Sequence, residues 1–494
     1  MKKKSLKMSR RKSANHLRMS QHMRVFEMAI CLSLVCSATA LAEPEISPRL
    51  ISEFKVTYPS FIAAYDNLNK DQNDGNFTLI ISSFDPIPWN SDHIYYVTDI
   101  DKVISENITN INVQTLTDKV TWPNEIEPVP IPGFGKDSIA VPGGFLVPGK
   151  QDGAVNIFDL NPGTILRNSV GPFDISTPKG GADKDWFFHR VLWKDMNKDG
   201  LPDAVTCRGR KPIFGSTEGN LLWLENPRDS PYNFSRPWTE HIVASGPDNM
   251  FTLAEMTADG VMYDVIITSS YFSENLTIYW SPSGEWEKSK VKQNVIATKL
   301  GQMFDVQVMD LNRDGRLDLL VSLNAYENGK VLAFEVPIDF RSGKYVMHTL
   351  ATGFSSKSWG PGKGSPGSSK AFFPNTKNES GKPLILVSGD DDGSAHILYP
   401  KSLDLNNWEY ETKTFLEDGD GTIGGIAIAD IDKDGYKELF VPSYSKDRVF
   451  VYSFKPKMSQ IRQTSVTTAP KGTSSTPSSP SWKPIKDPDE LILG

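Results

Sequence analysis

The stretch Asp310–Leu320 reads Asp-Leu-Asn-Arg-Asp-Gly-Arg-Leu-Asp-Leu-Leu, an acidic loop that runs directly into apolar residues. The pattern returns at Asp195–Val205 as Asp-Met-Asn-Lys-Asp-Gly-Leu-Pro-Asp-Ala-Val, and at Asp430–Phe440 as Asp-Ile-Asp-Lys-Asp-Gly-Tyr-Lys-Glu-Leu-Phe. After each loop come a short β-rich run, a polar turn and an alternating apolar strand. Such recurrence indicates a repeat protein built from sheet-forming units.

Weaker copies fill the gaps between these three. Degenerate loops stand at Lys70, Glu255 and Asn375, and a further copy, predicted to pair Phe145–Pro148 with Ala154–Phe158, has no acidic loop. The units begin near residues 70, 137, 195, 255, 310, 375 and 430, at intervals of 55 to 67 residues. That length accommodates four short antiparallel strands, the content of one propeller blade.

The predicted fold is therefore all-β, a seven-bladed β-propeller over residues 43–455. Six or eight blades and a flat solenoid are the alternatives. An outer strand is predicted to begin at Trp238, Trp286, Tyr345 and Trp408. The last unit has no such strand after Tyr452, so we predict that Ile51–Tyr58 supplies it and removes an exposed edge.

Oxygen-bearing residues at positions 1, 3, 5 and 9 of a tight loop, with glycine at position 6, suit calcium because alternate residues point inward. An EF-hand is excluded, since position 12 is Thr206, Val321 or Val441 rather than glutamate. The predicted ligands, with the main-chain carbonyl at position 7, are Asp195, Asn197, Asp199, Leu201 and Asp203; Asp310, Asn312, Asp314, Arg316 and Asp318; and Asp430, Asp432, Asp434, Tyr436 and Glu438.

The same motif is also a favoured turn without metal, but three copies at matching places favour Ca²⁺. The copy at Glu255 is a weaker candidate. The copies at Lys70 and Asn375 carry lysine where a ligand belongs and are predicted to bind nothing.

These units resemble the FG-GAP/VCBS repeats of integrin alpha-chain propellers and of many secreted proteins. The resemblance covers most of residues 70–454 and includes the phrase Gly219–Pro227, Gly-Asn-Leu-Leu-Trp-Leu-Glu-Asn-Pro. It implies a propeller with calcium in the loop between two blade strands. It does not imply one function, because the family includes adhesion subunits, carbohydrate-active enzymes and matrix proteins.

The two ends of the chain differ from the middle. Residues 1–42 combine nine basic residues with an apolar run that ends at Ala40-Leu41-Ala42, which predicts a secretory signal peptide; an uncleaved signal anchor is the alternative. Residues 456–494 form a Ser/Thr/Pro-rich tail that is predicted to be disordered. No second apolar run of spanning length follows the signal, so a secreted, extracellular protein without a membrane span is predicted.

Without residues 1–42 the formal charge falls from −7 to −15, which argues against nucleic acid as a partner. Cys207 is then the one remaining cysteine, so an internal disulfide is excluded; a buried thiol is favoured over an intermolecular scaffold. Asn-x-Ser/Thr sequons predict glycosylation at Asn76, Asn107, Asn233, Asn275 and Asn378.

The chain contains no zinc-protease motif, nucleophile elbow or phosphate-binding glycine loop. The sequence therefore favours an adhesion or matrix-binding module for an extracellular protein or glycan. The alternative is a secreted carbohydrate-active lyase or dehydratase that uses the polar cluster Asp183–Arg190, with His189 as its acid–base group. The insertion Ser355–Ser369 offers Trp359 for stacking on a sugar or peptide, or is a mobile linker.

Overall fold

The structure, a computed structural model, describes residues 46–66, 77–105, 110–130, 138–159, 170–176, 184–211, 216–360 and 362–456. The described residues from Pro48 onward belong to one compact unit. The predicted signal peptide, almost all of the predicted tail, the loop at Lys70, and the sequons at Asn76 and Asn107 lie outside the described residues.

The described residues form seven four-stranded antiparallel sheets, and in six of them the strands follow one another in chain order. The first blade is β2 Pro59–Asp66, β3 Phe77–Ser83, β4 His93–Val97 and β5 Gln114–Thr117, with the short helix α1 Ile100–Ser105 between β4 and β5. The second is β6 Glu127–Pro128, β7 Ser138–Pro142, β8 Val155–Asp159 and β9 Val170–Asp174. The third is β10 Phe187–Lys194, β11 Asp203–Arg210, β12 Glu218–Glu225 and β13 Thr239–Ser245.

The remaining blades repeat the plan. The fourth is β14 Met250–Ala258, β15 Val261–Ser269, β16 Asn275–Trp280 and β17 Lys292–Thr298. The fifth is β18 Gln302–Met309, β19 Asp318–Asn324, β20 Gly329–Glu335 and β21 Val346–Phe354. The sixth is β22 Ser369–Phe372, β23 Leu384–Ser388, β24 Ser394–Pro400 and β25 Tyr410–Glu417. The seventh is β26 Ala427–Ala429, β27 Glu438–Ser443, β28 Arg448–Ser453 and β1 Arg49–Lys55.

The prediction of an all-β, seven-bladed propeller is confirmed. The repeat units defined from the sequence start one strand after the blades do, because each acidic loop joins the first strand of a blade to its second. A sequence repeat therefore holds the last three strands of one blade and the first strand of the next.

The ring closes through the amino-terminal segment, as predicted, but the closing strand is Arg49–Lys55 rather than Ile51–Tyr58. β1 pairs antiparallel with β28, placing Phe54 opposite Val449 and Arg49 opposite Ser453. The seventh blade then abuts the first, where Gly425 donates its N–H to Ser60 O at 2.7 Å. Its neighbour Gly424 must be glycine, because a Cβ there would lie 1.9 Å from Ser60 O.

The hydrophobic core lies between blades rather than at one centre. Six clusters of buried side chains each join neighbouring blades; one of them packs Ile267 and Trp280 of the fourth blade against Val321 and Phe334 of the fifth. Between the sixth and seventh blades, Phe415 and Tyr452 meet at 4.9 Å between ring centroids. Each blade is thus stabilised by burial of apolar surface on both sides.

Three local predictions were wrong. Phe145–Pro148 is a loop, and the strand of that blade is β7, which lies just before it. Trp286 lies in a loop, and the outer strand there begins at Lys292. The degenerate copy at Glu255 is a strand hairpin with a tight turn at Asp259-Gly260, so Glu255 pairs with Asp264 and no acidic loop forms.

Because the strands are antiparallel, the loops gather at two opposite ends of the blades. We call the end with the loops between first and second strands (195–202, 310–317 and 430–437) the acidic-loop face. The other end, which we call the aromatic face, carries the loops between second and third strands and the connections between blades. Its loops include 84–92, 143–154, 270–274, 389–393 and 444–447, and its connections include 56–58, 118–126, 246–249 and 355–368.

Candidate functional site

The three predicted calcium loops share one hydrogen-bonding pattern. The first aspartate accepts the N–H of the glycine at position 6: Gly200 to Asp195 at 2.8 Å, Gly315 to Asp310 at 2.9 Å, and Gly435 to Asp430 at 3.1 Å. The fifth-position aspartate accepts the N–H of position 7: Leu201 to Asp199 at 2.9 Å, Arg316 to Asp314 at 2.9 Å, and Tyr436 to Asp434 at 2.8 Å. The third-position oxygen accepts the N–H of position 5 at 3.0 Å from Asn197 and Asn312 and at 3.3 Å from Asp432. Conserved local geometry in three blades indicates one shared design.

The ninth-position carboxylates anchor each loop to the second strand of its blade. Asp203, Asp318 and Glu438 are buried, and each accepts the N–H of the second loop residue at 2.9 to 3.0 Å. Burial raises the pKa of Asp203 and of Asp318 to about 7, and that of Glu438 to about 8. These side chains therefore hold the loop in shape, and their role as ligands stays a prediction.

The loop of the seventh blade shows the closest convergence of oxygens. One carboxylate oxygen from each of Asp430, Asp432 and Asp434 lies within 4.8 Å of the others. Asp430 Oδ1 is buried and has no hydrogen-bond partner among the described residues. Three converging carboxylates and an unused oxygen fit a hard divalent cation, which takes oxygen ligands.

A basic side chain meets the fifth-position aspartate in all three loops. Arg228 Nε lies 3.3 Å from Asp199 Oδ2, Arg316 Nη2 lies 2.8 Å from Asp314 Oδ2, and Lys455 Nζ lies 2.7 Å from Asp434 Oδ2. Each cation partly neutralises the loop. A metal ion bound there would compete with it for the same carboxylate.

The degenerate loop of the sixth blade contacts the acidic loop of the seventh blade. Lys377, where a ligand would stand, donates from Nζ to Asp434 O at 2.8 Å, and Thr376 Oγ1 donates to Asp430 Oδ2 at 3.2 Å. This loop thus supports the seventh-blade loop through its own polar groups.

The aromatic face carries a continuous run of eleven rings, which we call the aromatic circuit. Neighbouring centroids are 4.1 to 6.5 Å apart, and eight of the rings are half-buried. In order of contact the rings are Tyr58, Tyr444, Phe84, Trp122, Phe145, Phe187, Phe272, Tyr271, Phe304, His189 and Phe61.

Buried carboxylates hold the loops that carry these rings. Asp92 accepts the N–H of Trp122 at 2.7 Å and pairs with the buried Lys150 at 2.8 Å. Asp248 accepts the N–H groups of Tyr271 and Phe272 at 2.7 and 3.1 Å. Charge-assisted bonds of this kind fix the loop backbone, so the rings are presented in a set arrangement.

The predicted polar cluster lies where the inner strands meet, although Asp183 is outside the described residues. The imidazole of His189 packs edge-on against Phe61 of the first blade and Phe304 of the fifth, with ring centroids 5.2 Å and 6.4 Å apart. His189 is 6% exposed. Its Nδ1 is buried and has no hydrogen-bond partner in the described part of the chain. Burial lowers the pKa of His189 to about 4, so the imidazole is neutral at pH 7.

The other predicted residues fall into ordinary surroundings. His241 and His348 occupy equivalent positions in two blades. His241 Nε2 lies 2.7 Å from Glu225 Oε2, and His348 Nε2 lies 2.5 Å from Glu335 Oε1. Cys207 is fully buried. Asn378 is exposed, whereas Asn233 and Asn275 are half-buried; glycosylation stays a prediction for all five sequons.

The insertion Ser355–Ser369 is packed over much of its length. Lys357 donates its N–H to Asp391 O at 2.8 Å, Ser365 pairs with Ala325 of the fifth blade, and Ser365 is fully buried. Trp359 at its tip is 87% exposed. The segment therefore joins two blades and displays one tryptophan, so it is not a free linker over its packed residues.

The sequence alone does not predict the aromatic circuit. A partial signal exists: an aromatic residue follows the second strand within three residues in five blades, at Phe84, Phe145, Tyr271, Tyr326 and Tyr444, and all of these except Tyr326 belong to the circuit. Because these aromatics stand beside turns, they read as strand ends or loop residues. Their meeting depends on contacts between blades that the sequence does not display.

No helix among the described residues is long and apolar enough to cross a membrane.

No known protein-family profile matches the chain, and no curated protein is similar to it in sequence. Among solved structures, the chain is similar to the soluble aldose sugar dehydrogenase of Escherichia coli in its apo form, with 11% identity and a TM-score of 0.40, over 70% of this chain and 99% of that one. It is also similar to a glucose dehydrogenase, with 9% identity and a TM-score of 0.41, over 70% of this chain and 100% of that one. A mutant NanB sialidase of Streptococcus pneumoniae is similar with 10% identity and a TM-score of 0.38, over 85% of this chain and 72% of that one.

Proposed function

We propose that this protein is a secreted, calcium-binding β-propeller that acts as an extracellular adhesion or matrix-binding module. The observation that carries the proposal is the convergence of Asp430, Asp432 and Asp434 in a loop whose hydrogen bonding is repeated in two other blades. A single turn of this kind has many uses. Three copies with the same backbone geometry favour a shared ligand.

The donor set supports calcium over other metals. Its side-chain donors are carboxylate and amide oxygens, with a main-chain carbonyl available from Leu201, Arg316 or Tyr436. Hard oxygen donors suit Ca²⁺, whereas zinc and copper sites use imidazole or thiolate. The free oxygen of Asp430 gives the seventh-blade loop an unused ligand.

Calcium in these loops would be structural. Each loop joins the first strand of a blade to the second, so a bound ion would neutralise carboxylates that repel one another and stiffen the hairpin. The same loops lie at the opposite end of the blades from the aromatic face. Binding of a partner at the aromatic face would then depend on calcium only through the stability of the blades.

Binding is favoured over catalysis by the surroundings of His189. Acid–base catalysis requires a group that reaches a substrate proton and has a pKa near the working pH. His189 is 6% exposed and its pKa is lowered to about 4.

Thermal unfolding with calcium and with a chelator tests the metal sites. A ligand at one hundred times its dissociation constant stabilises the native state by about 2.7 kcal/mol. We expect the wild-type midpoint to rise in calcium. We expect Asp310→Ala and Asp314→Ala to lower the midpoint more in calcium than in chelator, where each variant loses only hydrogen bonds within the loop. The matched control is Asp229→Ala, an exposed aspartate that pairs with Arg236 and accepts a hydrogen bond from Ser230 Oγ at the surface.

Two results would count against the metal sites. One is an equal loss for the Asp310 and Asp314 variants in both buffers, which would make the loops ordinary turns. The other is a wild-type midpoint that ignores calcium.

Secretion is tested separately. When the full chain is expressed in a eukaryotic secretory host, we expect the medium to contain protein that begins at Glu43. Its mass should fall after enzymatic removal of N-linked glycans. A product retained in the membrane fraction with residues 1–42 attached would support the signal-anchor alternative instead.

A further inference from the structure

Backbone hydrogen bonds tie the acidic loop of the seventh blade to the sixth blade. Thr376 donates its N–H to Gly435 O at 2.9 Å, and Lys437 donates its N–H to Pro374 O at 3.0 Å. Within the described residues, the acidic loops of the third and fifth blades have no backbone hydrogen bond to another blade. The seventh-blade loop is therefore held from outside in a way that the other two are not.

The same contact orients a predicted ligand, the main-chain carbonyl of Tyr436. Tyr436 lies opposite Asn375 in an antiparallel bridge, and the two hydrogen bonds flank this pair. The N–H and C=O groups of a residue in such a non-hydrogen-bonded pair point away from the partner strand. The Tyr436 N–H accordingly reaches Asp434 Oδ1 inside the loop, at 2.8 Å. Its carbonyl points to the same side, where a bound cation would lie.

The first aspartate uses its two oxygens differently in the three loops. Both oxygens of Asp195 accept N–H groups of their own loop, and so do both oxygens of Asp310. Asp430 uses Oδ2 alone: this oxygen accepts the Gly435 N–H at 3.1 Å and the Thr376 hydroxyl at 3.2 Å. Asp430 Oδ1 is buried and has no hydrogen-bond partner in the described part of the chain. The sixth-blade hydroxyl thus helps to hold one oxygen and leaves the other for a cation.

Charge alone does not separate the three loops. The seventh-blade loop has a carboxylate at position 3, Asp432, where the other two loops have asparagine. It also has two further lysines, Lys377 from the sixth blade and Lys437 at position 8, whose positive charge offsets the extra carboxylate. Because calcium affinity depends on the charge of the ligands and on the rigidity of the site, rigidity is the property that distinguishes this loop.

This loop also lies where the ring closes. Lys433 places Nζ 5.5 Å from the ring centroid of Phe77 in the first blade, so the loop contacts the blades on both sides. The seventh blade is the one that combines β28 with the amino-terminal strand β1. A cation bound here would stiffen the blade that closes the ring.

We propose that the seventh-blade loop is the first of the three calcium sites to fill, and that the sixth-blade loop, through Thr376, holds it ready. This inference rests on the proposed calcium binding and ranks the sites within it. Thr376 is a positioning residue, because it acts through Asp430 and Gly435. Backbone that is already fixed does not have to be ordered on binding, so we expect this loop to bind calcium about tenfold more tightly than the other two.

Calcium titration calorimetry of the mature chain, residues 43–494, tests the ranking. We expect one tight binding phase, followed by weaker binding at the other two loops. Asp430→Asn, which keeps an acceptor for the Gly435 N–H, should abolish the tight phase. Asp310→Asn should remove part of the weaker binding instead.

Thr376→Val tests the role of the sixth blade. It removes the hydroxyl but keeps the shape and charge of the side chain, and Thr376 is exposed, so the variant should fold normally. We expect the tight phase to weaken about three- to tenfold, the effect of losing one partly exposed hydrogen bond. The melting midpoint in chelator should stay close to that of the wild type, which separates positioning of the ligand from a general loss of stability.

Two further variants control this test. Thr376→Ser keeps the hydroxyl and should retain the wild-type affinity. Thr349→Val makes the same substitution at an exposed threonine of β21 and should leave the tight phase unchanged.

Three outcomes would overturn this inference and leave calcium binding standing: three sites of equal affinity, a tight phase that survives Asp430→Asn, or a tight phase that Thr376→Val does not weaken. Absence of calcium binding to the wild type is a different result. It would refute the proposed calcium function itself, and this ranking with it.

Discussion

Arg190 on the inner strand of the third blade lies with Nη1 3.0 Å from Asp305 Oδ1 on the inner strand of the fifth blade, so one ion pair reaches past the blade between them. The same guanidinium donates to Phe251 O of that intervening blade at 2.9 Å and binds Glu125 through two nitrogens at 2.5 and 2.9 Å. Burial alone would lower the pKa of Arg190, but the carboxylates of Asp305 and Glu125 raise it above the ordinary value, so the guanidinium stays charged. One side chain thus joins the inner strands of the third, fourth and fifth blades and the connection that carries Glu125.

Arg190→Met should destabilise the protein strongly, because it leaves the buried Asp305 and Glu125 without their cation. Loss of one partner from a buried ion cluster typically costs about 3 to 5 kcal/mol. Urea unfolding measures the change. Arg236→Met is the matched control, since the Arg236–Asp229 pair is exposed and should contribute at most about 1 kcal/mol. Similar losses of stability in the two variants would contradict a special contribution from the buried Arg190–Glu125–Asp305 cluster.

Phe54→Ala should destabilise the ring closure. Phe54 of β1 is buried against the first and seventh blades, and truncation of a buried phenylalanine costs about 3 to 5 kcal/mol. Leu50, on the same strand but exposed, provides the control Leu50→Ala, which should change stability by less than about 1 kcal/mol. Equal midpoints for both variants in a thermal melt would mean that β1 adds little to the last blade.

Lys455→Met should tighten calcium binding at the seventh-blade loop, because the ammonium group at Asp434 competes with the ion. The pair is half exposed, so the gain is modest, up to about fivefold in affinity. Calcium titration calorimetry measures it. Lys401→Met removes an exposed lysine near Glu409, away from the loop, and should leave the affinity unchanged. An affinity that falls in Lys455→Met would show that the lysine supports the site.

His189→Phe should make the protein less sensitive to acid. The folded-state pKa of His189, about 4, lies below its ordinary value of 6.5, so between these values the unfolded chain binds the extra proton. This favours unfolding of the wild type as the pH falls through that window. Between pH 7 and pH 5 the free energy of unfolding of the wild type should fall by about 2 kcal/mol more than that of the variant. Parallel pH profiles in urea unfolding would contradict this.

The fold was predictable from the sequence because its signal is local. Each Asp-x-Asn/Asp-x-Asp-Gly loop marks one strand connection. The distance between the three clear copies indicates the length of one repeat, and that length predicts seven blades. The missing outer strand after Tyr452 pointed to the amino-terminal segment, and β1 fills that position. The predicted ligands at positions 1, 3 and 5 also share one geometry in all three loops.

The aromatic face was not predictable in the same way. Tyr58 and Tyr444 stack at 5.1 Å but are separated by almost the whole chain. The run Phe-Leu-Val at Phe145 is β-rich and predicts a strand, whereas the two glycines before it end β7 and the Phe145 ring stacks on Trp122. The sequence shows the polar cluster at His189, but the surroundings of its imidazole depend on which blades meet there.

The pairing of Arg49 with Ser453 has a practical consequence for handling this molecule. The chain enters and leaves the ring side by side, close to the Asp430 loop, where Phe454 donates its N–H to Lys437 O. A reporter or affinity tag attached beside Arg49 or Phe454 would lie on that side, at the opposite end of the blades from the aromatic face. A molecule immobilised through either of these positions would turn the loops of Trp89 and Trp359 away from the support.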